Sequence, residues 1–405
     1  MVYFIILFFL FYLIYHFDYK GNVRGRYMWA IVMLLAFILV VGLRYRIGTD
    51  TVRYETYFRS YPDIFSMNEK VFLKSRFSPL YVLFNVGIRT FTDQFYIFQL
   101  IHATIVNTVI FYFFYKNARH FFLAVTLYYL FLYLNINTEV LREALAACAF
   151  LLAWPAFKKN NWLVWYIWSI IAFLFHVSAL FMFIIPVLQL PGVREFFKFG
   201  TRTFYICIGV FMIAMVIQVF LFKYVQAIVA VESVADRAST YSQNELGGAK
   251  LNATGIIGVV IIFVIYPLIP LFFQSMQRRM DGLDPVVYNK LEFMTMISVY
   301  IAIISTGIFI FMRFNNYFLF FPFVMISDFV FTRLPYKRKY LRLGLASWII
   351  FLIPLFCLEF YTGYLPKVNK SGTLKKYMNY YPYASIFDQD KDEKREKVFK
   401  YNHIH

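Results

Sequence analysis

The stretch YMWAIVMLLAFILVVGLRYRIGTD, residues 27–50, carries in one line the two features that decide this chain. Its first seventeen residues contain no charge and few polar groups, and as a helix they extend roughly 25 Å. That approaches the hydrocarbon core of a bilayer, about 30 Å thick. Three charged residues, Arg44, Arg46 and Asp50, then follow within seven positions. Similar apolar runs recur near 3–17, 95–115, 120–134, 139–157, 162–190, 203–222, 255–274, 291–311, 314–332 and 342–361. The 405 residues are 61% hydrophobic and only 15% charged, with a mean hydropathy of +0.61. A soluble core cannot hide that much apolar surface, whereas lipid solvates it. Backbone groups in lipid must bond within their own segment, so these runs are helices; a β-barrel requires short alternating strands and is excluded. The first run lacks a basic leader and a small-residue cleavage site and is read as a retained span.

The connections alternate between basic and charge-poor. Lys20/Arg24/Arg26, Lys116/Arg119, Lys158/Lys159, Arg194/Lys198/Arg202, Arg278/Arg279/Lys290 and Arg333/Lys337/Arg338/Lys339 are the basic ones. Short cytoplasmic loops collect such residues, so all six are placed inside. Residues 162–190 would then begin and end on one side, which predicts two short helices with a turn near His176. Residues 79–91 are too short to span and are expected to form a re-entrant or interfacial helix. The fold class that follows is an all-α polytopic membrane protein with about twelve crossings. Residues 1–361 form a single helical domain, with long extracytoplasmic loops at about 44–78 and 223–254 and a polar extracytoplasmic tail at 362–405. Cys148, Cys207 and Cys357 lie in apolar runs and report neither a disulfide framework nor a metal site. No cofactor, metal or nucleic acid is expected. The net charge of +18 points to membrane lipids or another anionic partner.

Charges near a membrane need a reason. Single arginines at helix ends commonly snorkel to headgroups. Arg44, Arg46 and Arg53 gather with Asp50, Tyr54 and a Gly48–Thr49 turn, on the side that should be poor in charge. Guanidinium groups hold phosphate through paired hydrogen bonds, and a glycine lets peptide N–H groups approach the same anion. Glu139, Arg142 and Glu143 open a later run. A bland reading suffices there: Thr138 caps the helix, acidic residues suit its first turn, and Glu139 pairs with Arg142. The functional alternative turns Arg142 toward a polar cavity, with a glutamate for proton transfer. His176 suits structural hydrogen bonding as well as general-base duty. Arg313 interrupts the charge asymmetry beside Asn315, Asn316 and Tyr317. Asp388-Gln389-Asp390 matches a short metal-binding pattern of nucleotide-sugar transferases, but the α/β domain needed to use it is missing.

Taken together these segments resemble the EpsG family of Wzy-like polysaccharide polymerases. Arg44-Tyr45-Arg46-Ile47-Gly48-Thr49-Asp50 with Tyr54 is similar to its Arg-x-x-(Val/Ile)-Gly-Thr-Asp-x-x-x-Tyr signature. Leu141–Ala146 resembles Leu-Arg-Gln-x-Leu-Ala, with Glu143 in place of Gln. Phe175–Leu180 resembles Phe-His-x-Ser-Ala, and Arg313–Tyr317 and Tyr381-Pro382-Tyr383 are similar to its late segments. The resemblance implies polymerisation of oligosaccharide repeats carried on undecaprenyl pyrophosphate, at the outer face of the cytoplasmic membrane. On that reading Arg44, Arg46, Arg142 and Arg313 hold the pyrophosphate. His176, Asp50 and Glu143 are the candidate bases, and Tyr54, Tyr317 and Tyr383 contact glycan. A chain-length regulator is a partner implied by the family alone. The rival readings are a flippase or transporter of the lipid-linked oligosaccharide, a glycan ligase, and an O-acyltransferase.

Overall fold

A computed structural model of the chain describes residues 2–75, 77–228, 260–265, 267–269, 271, 285–331, 380–381 and 383–388. Among these the regular elements are all helical, and extended pairing is confined to one isolated bridge between Arg44 and Ser385. The chain divides into two units, Met1–Phe183 with Phe331–His405, and Ile184–Val330.

The first unit begins with α1 (Val2–Leu13), which continues as a π-helical turn to Tyr19, and α2 (Arg26–Gly42). The expected loop at 44–78 holds α3 (Thr51–Ser60) and α4 (Glu69–Lys74), and the short helix expected at 79–91 is α5 (Pro79–Arg89). Then come α6 (Phe95–Asn117), α7 (Phe121–Phe131), α8 (Leu141–Lys158) and α9 (Trp162–Phe175). Helix α2 packs on α6, α7 on α1 and α6, and α8 on both α6 and α9. Lipid supplies no hydrophobic drive between helices, so close packing and internal hydrogen bonds hold them. Both are visible. A Cβ on Gly42 would lie 2.7 Å from the Leu100 side chain and 3.0 Å from its Cα. Phe37 of α2 is buried against the rings of Phe111, Tyr128, Tyr129 and Tyr133.

The ends of this unit separate by charge. Arg26 donates to the Arg119 carbonyl at 2.7 Å, and Lys158 to Asn117 Oδ1 at 3.1 Å. Asp18 accepts the Leu123 N–H at 2.8 Å. Three of the basic connections therefore meet at one end, as loop charge predicted. At the other end Tyr129 donates to the Tyr3 carbonyl at 2.8 Å, and the Tyr3 ring meets that of Tyr383.

In residues 162–190 the helix stops at Phe175. His176 is extended, with φ −155°, and a 3₁₀ segment Val177–Phe183 follows. The break falls where the sequence placed it.

The second unit holds α10 (Ile185–Leu188), α11 (Pro191–Arg194), α12 (Thr203–Ile228), α13 (Pro285–Gly307), α14 (Asn315–Phe318) and α15 (Phe320–Phe331). Helix α12 runs six residues into the expected loop at 223–254, because no glycine or proline stops it there. Within this unit Glu292 accepts the Phe199 N–H, Lys290 donates to Gln189, and Gly307 sits 2.9 Å, at its Cβ position, from the Ala214 backbone.

Among the described residues, Val2–Tyr19, Phe95–Asn117 and Tyr288–Gly307 are long and apolar enough to cross a membrane. A fourth span exists if Val177–Leu188 and Pro191–Phe197 count as one, and five shorter apolar helices accompany them. Together with the composition, these make the chain a helical membrane protein. The expected total of about twelve crossings includes the run at 342–361, which, like residues 229–254 and most of the tail, lies outside the described residues.

Close approach at Gly42 and Gly307 carries a prediction. Gly42→Val and Gly307→Val should each cost about 1–3 kcal/mol by overpacking, lowering the thermal unfolding midpoint in detergent. Gly87→Ala meets nothing within 4 Å and should leave that midpoint in place.

Candidate active site

The site grows from the end of α2. Past Gly42 the chain turns, and Arg44 folds back so that Nη1 donates to the carbonyl of Val41 in the last helical turn. A cation there complements the exposed carbonyls of a helix C-terminus. Arg44 is only 2% exposed, and its Nε and Nη2 have no hydrogen-bond partner among the described residues. Burial pulls its guanidinium down to about 10, against the favourable influence of Tyr3 and Glu139, so it stays charged at neutral pH. Arg46 has a positive φ of 48° and lies over the Tyr45 ring, 5.2 Å from its centre.

The next turn defines the arrangement. Gly48 has φ +101°, a conformation that side chains resist, and a Cβ there would lie 2.9 Å from Thr138 Cβ and 3.1 Å from Glu139 Oε1. The glycine thus lets a carboxylate approach. Glu139 accepts the Thr49 N–H at 2.9 Å, the Asp50 N–H at 3.2 Å, and the Thr49 hydroxyl. The Tyr380 hydroxyl, from the far end of the chain, donates to the same carboxylate. Four residues on, Tyr54 donates to the backbone carbonyl of Glu139 at 3.1 Å. Burial pushes the Tyr54 hydroxyl up to about 12, with Arg142 acting in the opposite sense. The guanidinium of Arg142 stands 4.4 Å from the centre of the Phe77 ring.

Glu139 is aimed by a buried polar network. Asn107 donates to Asn137 Oδ1, Tyr128 donates to Asn107 Oδ1, and Asn137 donates to the Tyr128 hydroxyl, each at 2.9 Å. Asn137 also donates to the Tyr133 carbonyl at 2.8 Å. These bonds fix a π-helical turn, Asn135–Glu139, ahead of α8. Inside a membrane such groups need partners, and here they satisfy one another.

Three expectations change. Glu139 does not open the helix, which begins at Leu141, and Thr138 donates to the Leu134 carbonyl instead of capping α8. Glu139 turns to the 48–50 loop, while Arg142 lies over Phe77 beside Tyr54. The peptide N–H groups of Thr49 and Asp50, expected to face a substrate anion, face that glutamate.

The structure gathers Arg44, Arg46, Asp50, Tyr54, Arg142 and Tyr383 at one end of the first unit. Glu143 follows Arg142 in α8 and is buried. His176 is also buried in this unit; its Nδ1 accepts the Ser178 N–H at 3.2 Å and lies 2.6 Å from that residue's hydroxyl. With Nδ1 accepting, the neutral ring carries its proton on Nε2 and its basic lone pair is engaged by Ser178. The tyrosines expected on glycan are engaged within the protein. Tyr54 binds Glu139, Tyr383 donates to the Val40 carbonyl at 3.0 Å, and Tyr317 is fully buried in the second unit. Arg313 closes a 3₁₀ segment in that same unit. Glu139 was expected to pair with Arg142 at a helix start, and Tyr380 and Phe77 were not singled out. The signal for Glu139 was a carboxylate among the outer-end arginines, which pairing with Arg142 already explained.

The sequence matches the EpsG family over residues 26–385, nearly the whole chain. The chain belongs to the EpsG family. No curated protein and no solved structure matches it. In this EpsG chain the signature segment 44–54 and the segment around Arg142 are one structural object, joined through Glu139.

Gly48→Ala should strain the turn and push Glu139 away, at about 1–3 kcal/mol. The expected outcome is a lower unfolding midpoint in detergent, measured beside wild type.

Proposed function

We propose that this protein polymerises oligosaccharide repeat units carried on a polyprenyl pyrophosphate, at the outer face of the cytoplasmic membrane. The observation that carries the reading is the family match across residues 26–385, whose signature arginines and acid lie together at the end of the first unit opposite its basic connections. Basic connections are cytoplasmic by the positive-inside rule, so the arginine end faces out.

In the reaction a hydroxyl of the acceptor repeat attacks the anomeric carbon of the donor glycan. The bond from that carbon to the phosphate oxygen breaks, and lipid pyrophosphate leaves with the electron pair. Charge grows on the leaving oxygens, where fixed cations act most strongly because they need not reorganise. Arg46 and Arg142, both partly exposed, are assigned to contact that pyrophosphate. The sequence resemblance also names Arg313 as a phosphate-binding cation; it lies in the second unit. Asp50, half-buried at the start of α3, is assigned the proton of the attacking hydroxyl. Glu143 and His176 rank behind it, the first for its burial and the second for its engaged Nδ1. The chemistry assigned to these residues uses no cofactor. Membrane lipids surround the protein, and a chain-length regulator is a partner suggested by the family.

The alternative, a flippase of the lipid-linked unit, calls for polar groups along a path, whereas the charges here collect at helix ends. A strain lacking the gene, complemented with wild type, Arg142→Ala, Arg46→Ala, Asp50→Asn or His176→Ala, separates the readings once membrane levels are shown equal. Arg142→Ala and Asp50→Asn should lower polymer output by at least about a hundredfold and leave single lipid-linked repeats outside. Repeats trapped on the cytoplasmic side would instead identify a flippase, and full-length polymer from every variant would remove these residues from the site.

A further inference from the structure

The C-terminal segment around 380–388 is joined to the arginine loop by a set of contacts that the reaction as proposed does not use. Tyr45 donates its N–H to the Ala384 carbonyl, and Ile386 donates to the Leu43 carbonyl, both at 2.9 Å. Arg44 and Ser385 thereby form an antiparallel bridge. Tyr383 reaches past them to the Val40 carbonyl, and its ring stands edge-on to that of Tyr3. Asp388 closes the segment's own turn by accepting the Ser385 N–H at 3.0 Å and its hydroxyl at 2.6 Å. Ala384 and Tyr380 are buried, and so is Arg44. Tyr380 completes the arrangement, because its hydroxyl donates to the Glu139 carboxylate that already holds the Thr49 and Asp50 peptide groups.

The loop 43–50 is therefore clamped on two edges. Leu43 and Tyr45 are paired with the C-terminal segment, and Thr49 and Asp50 are bound by Glu139. Tyr380 ties the two clamps together. A loop between two helices would otherwise satisfy these backbone groups with water and move. We propose that residues 380–381 and 383–388 are a strap, latched by Tyr380 onto Glu139, and that Tyr380 and Glu139 are positioning residues which hold Arg46 and Asp50 in place for glycosyl transfer. The inference rests on the polymerase reading above. Neither residue is assigned contact with donor or acceptor; both act through the loop. Displacing a catalytic group by about 1 Å costs on the order of a hundredfold in rate, which is why a loop bearing two such groups needs a rigid seat.

The test uses full-length protein in nanodiscs, with lipid-linked repeats extracted from the deletion strain as the probe. Hydrogen exchange over 43–50 and 380–388 is read beside kcat and KM for polymer formation. Tyr380→Phe removes one hydroxyl and little else. It should speed exchange in both peptides and lower kcat about tenfold, with KM held within about twofold. Glu139→Gln retains an oxygen for the loop's N–H groups and should keep part of the activity, while Glu139→Ala should lose it. Unchanged exchange in Tyr380→Phe overturns the latch. Faster exchange with wild-type kcat overturns the positioning role, and a rise in KM alone would assign Tyr380 to the substrate instead. A wild-type protein that makes no polymer from these repeats takes down the polymerase reading and the positioning role with it, and the exchange rates then report on the latch separately.

Discussion

The arrangement at the arginine end depends on one carboxylate lying in the curve of a tight turn. Glu139 receives the peptide N–H groups of Thr49 and Asp50 and the hydroxyls of Thr49 and Tyr380, and its own carbonyl receives that of Tyr54. A turn whose successive N–H groups converge is an anion site, and here the anion is built into the chain. This gives the spacing of Gly48, Thr49, Asp50 and Tyr54 in this chain a physical role. Glycine supplies the backbone angle and the clearance, the next two residues supply donors, and the tyrosine one helical turn later reaches the same glutamate. Held by these donors, the carboxylate also favours the buried charge of Arg44, while Arg142 stacks on Phe77.

The depth of the bundle supports this surface chemistry. The hydrogen-bonded set of Asn107, Tyr128 and Asn137 lies among the helices, where an unsatisfied amide would be costly. Its members come from α6, α7 and the turn before α8. They set the rotation of that turn and hence the direction of Glu139. His102, also on α6, holds the first turn of α8 through the Leu141 carbonyl at 2.9 Å. Helix packing and site geometry are thus one problem in this protein.

Much of this was legible in the sequence because it follows from local rules. Apolar run length gave helices, lysine and arginine counts gave the common end of three connections, and the impossibility of one span over 162–190 gave the break at His176. The arginine loop stood out for charge on the wrong side. What could not be read was pairing across long separations. Glu139 has an ordinary local explanation beside a helix start, and nothing near it points to a partner 90 residues earlier. Tyr380 sits in a polar tail, 241 residues from the carboxylate it binds. The tyrosines were read for their sugar-stacking faces, but in lipid a hydroxyl near a bare carbonyl is drawn to it first.

The bridge between Arg44 and Ser385 also bears on how the molecule is made. About 340 residues separate its two halves, and ribosomes add roughly 5–20 residues per second. For about 20 to 70 s the arginine loop waits on the membrane surface without its second edge. A chain that stops short of residue 380, by premature termination or by proteolysis, inserts its helices and still exposes the loop undocked. Docking of the loop's second edge therefore waits on residues about 340 positions later in the chain.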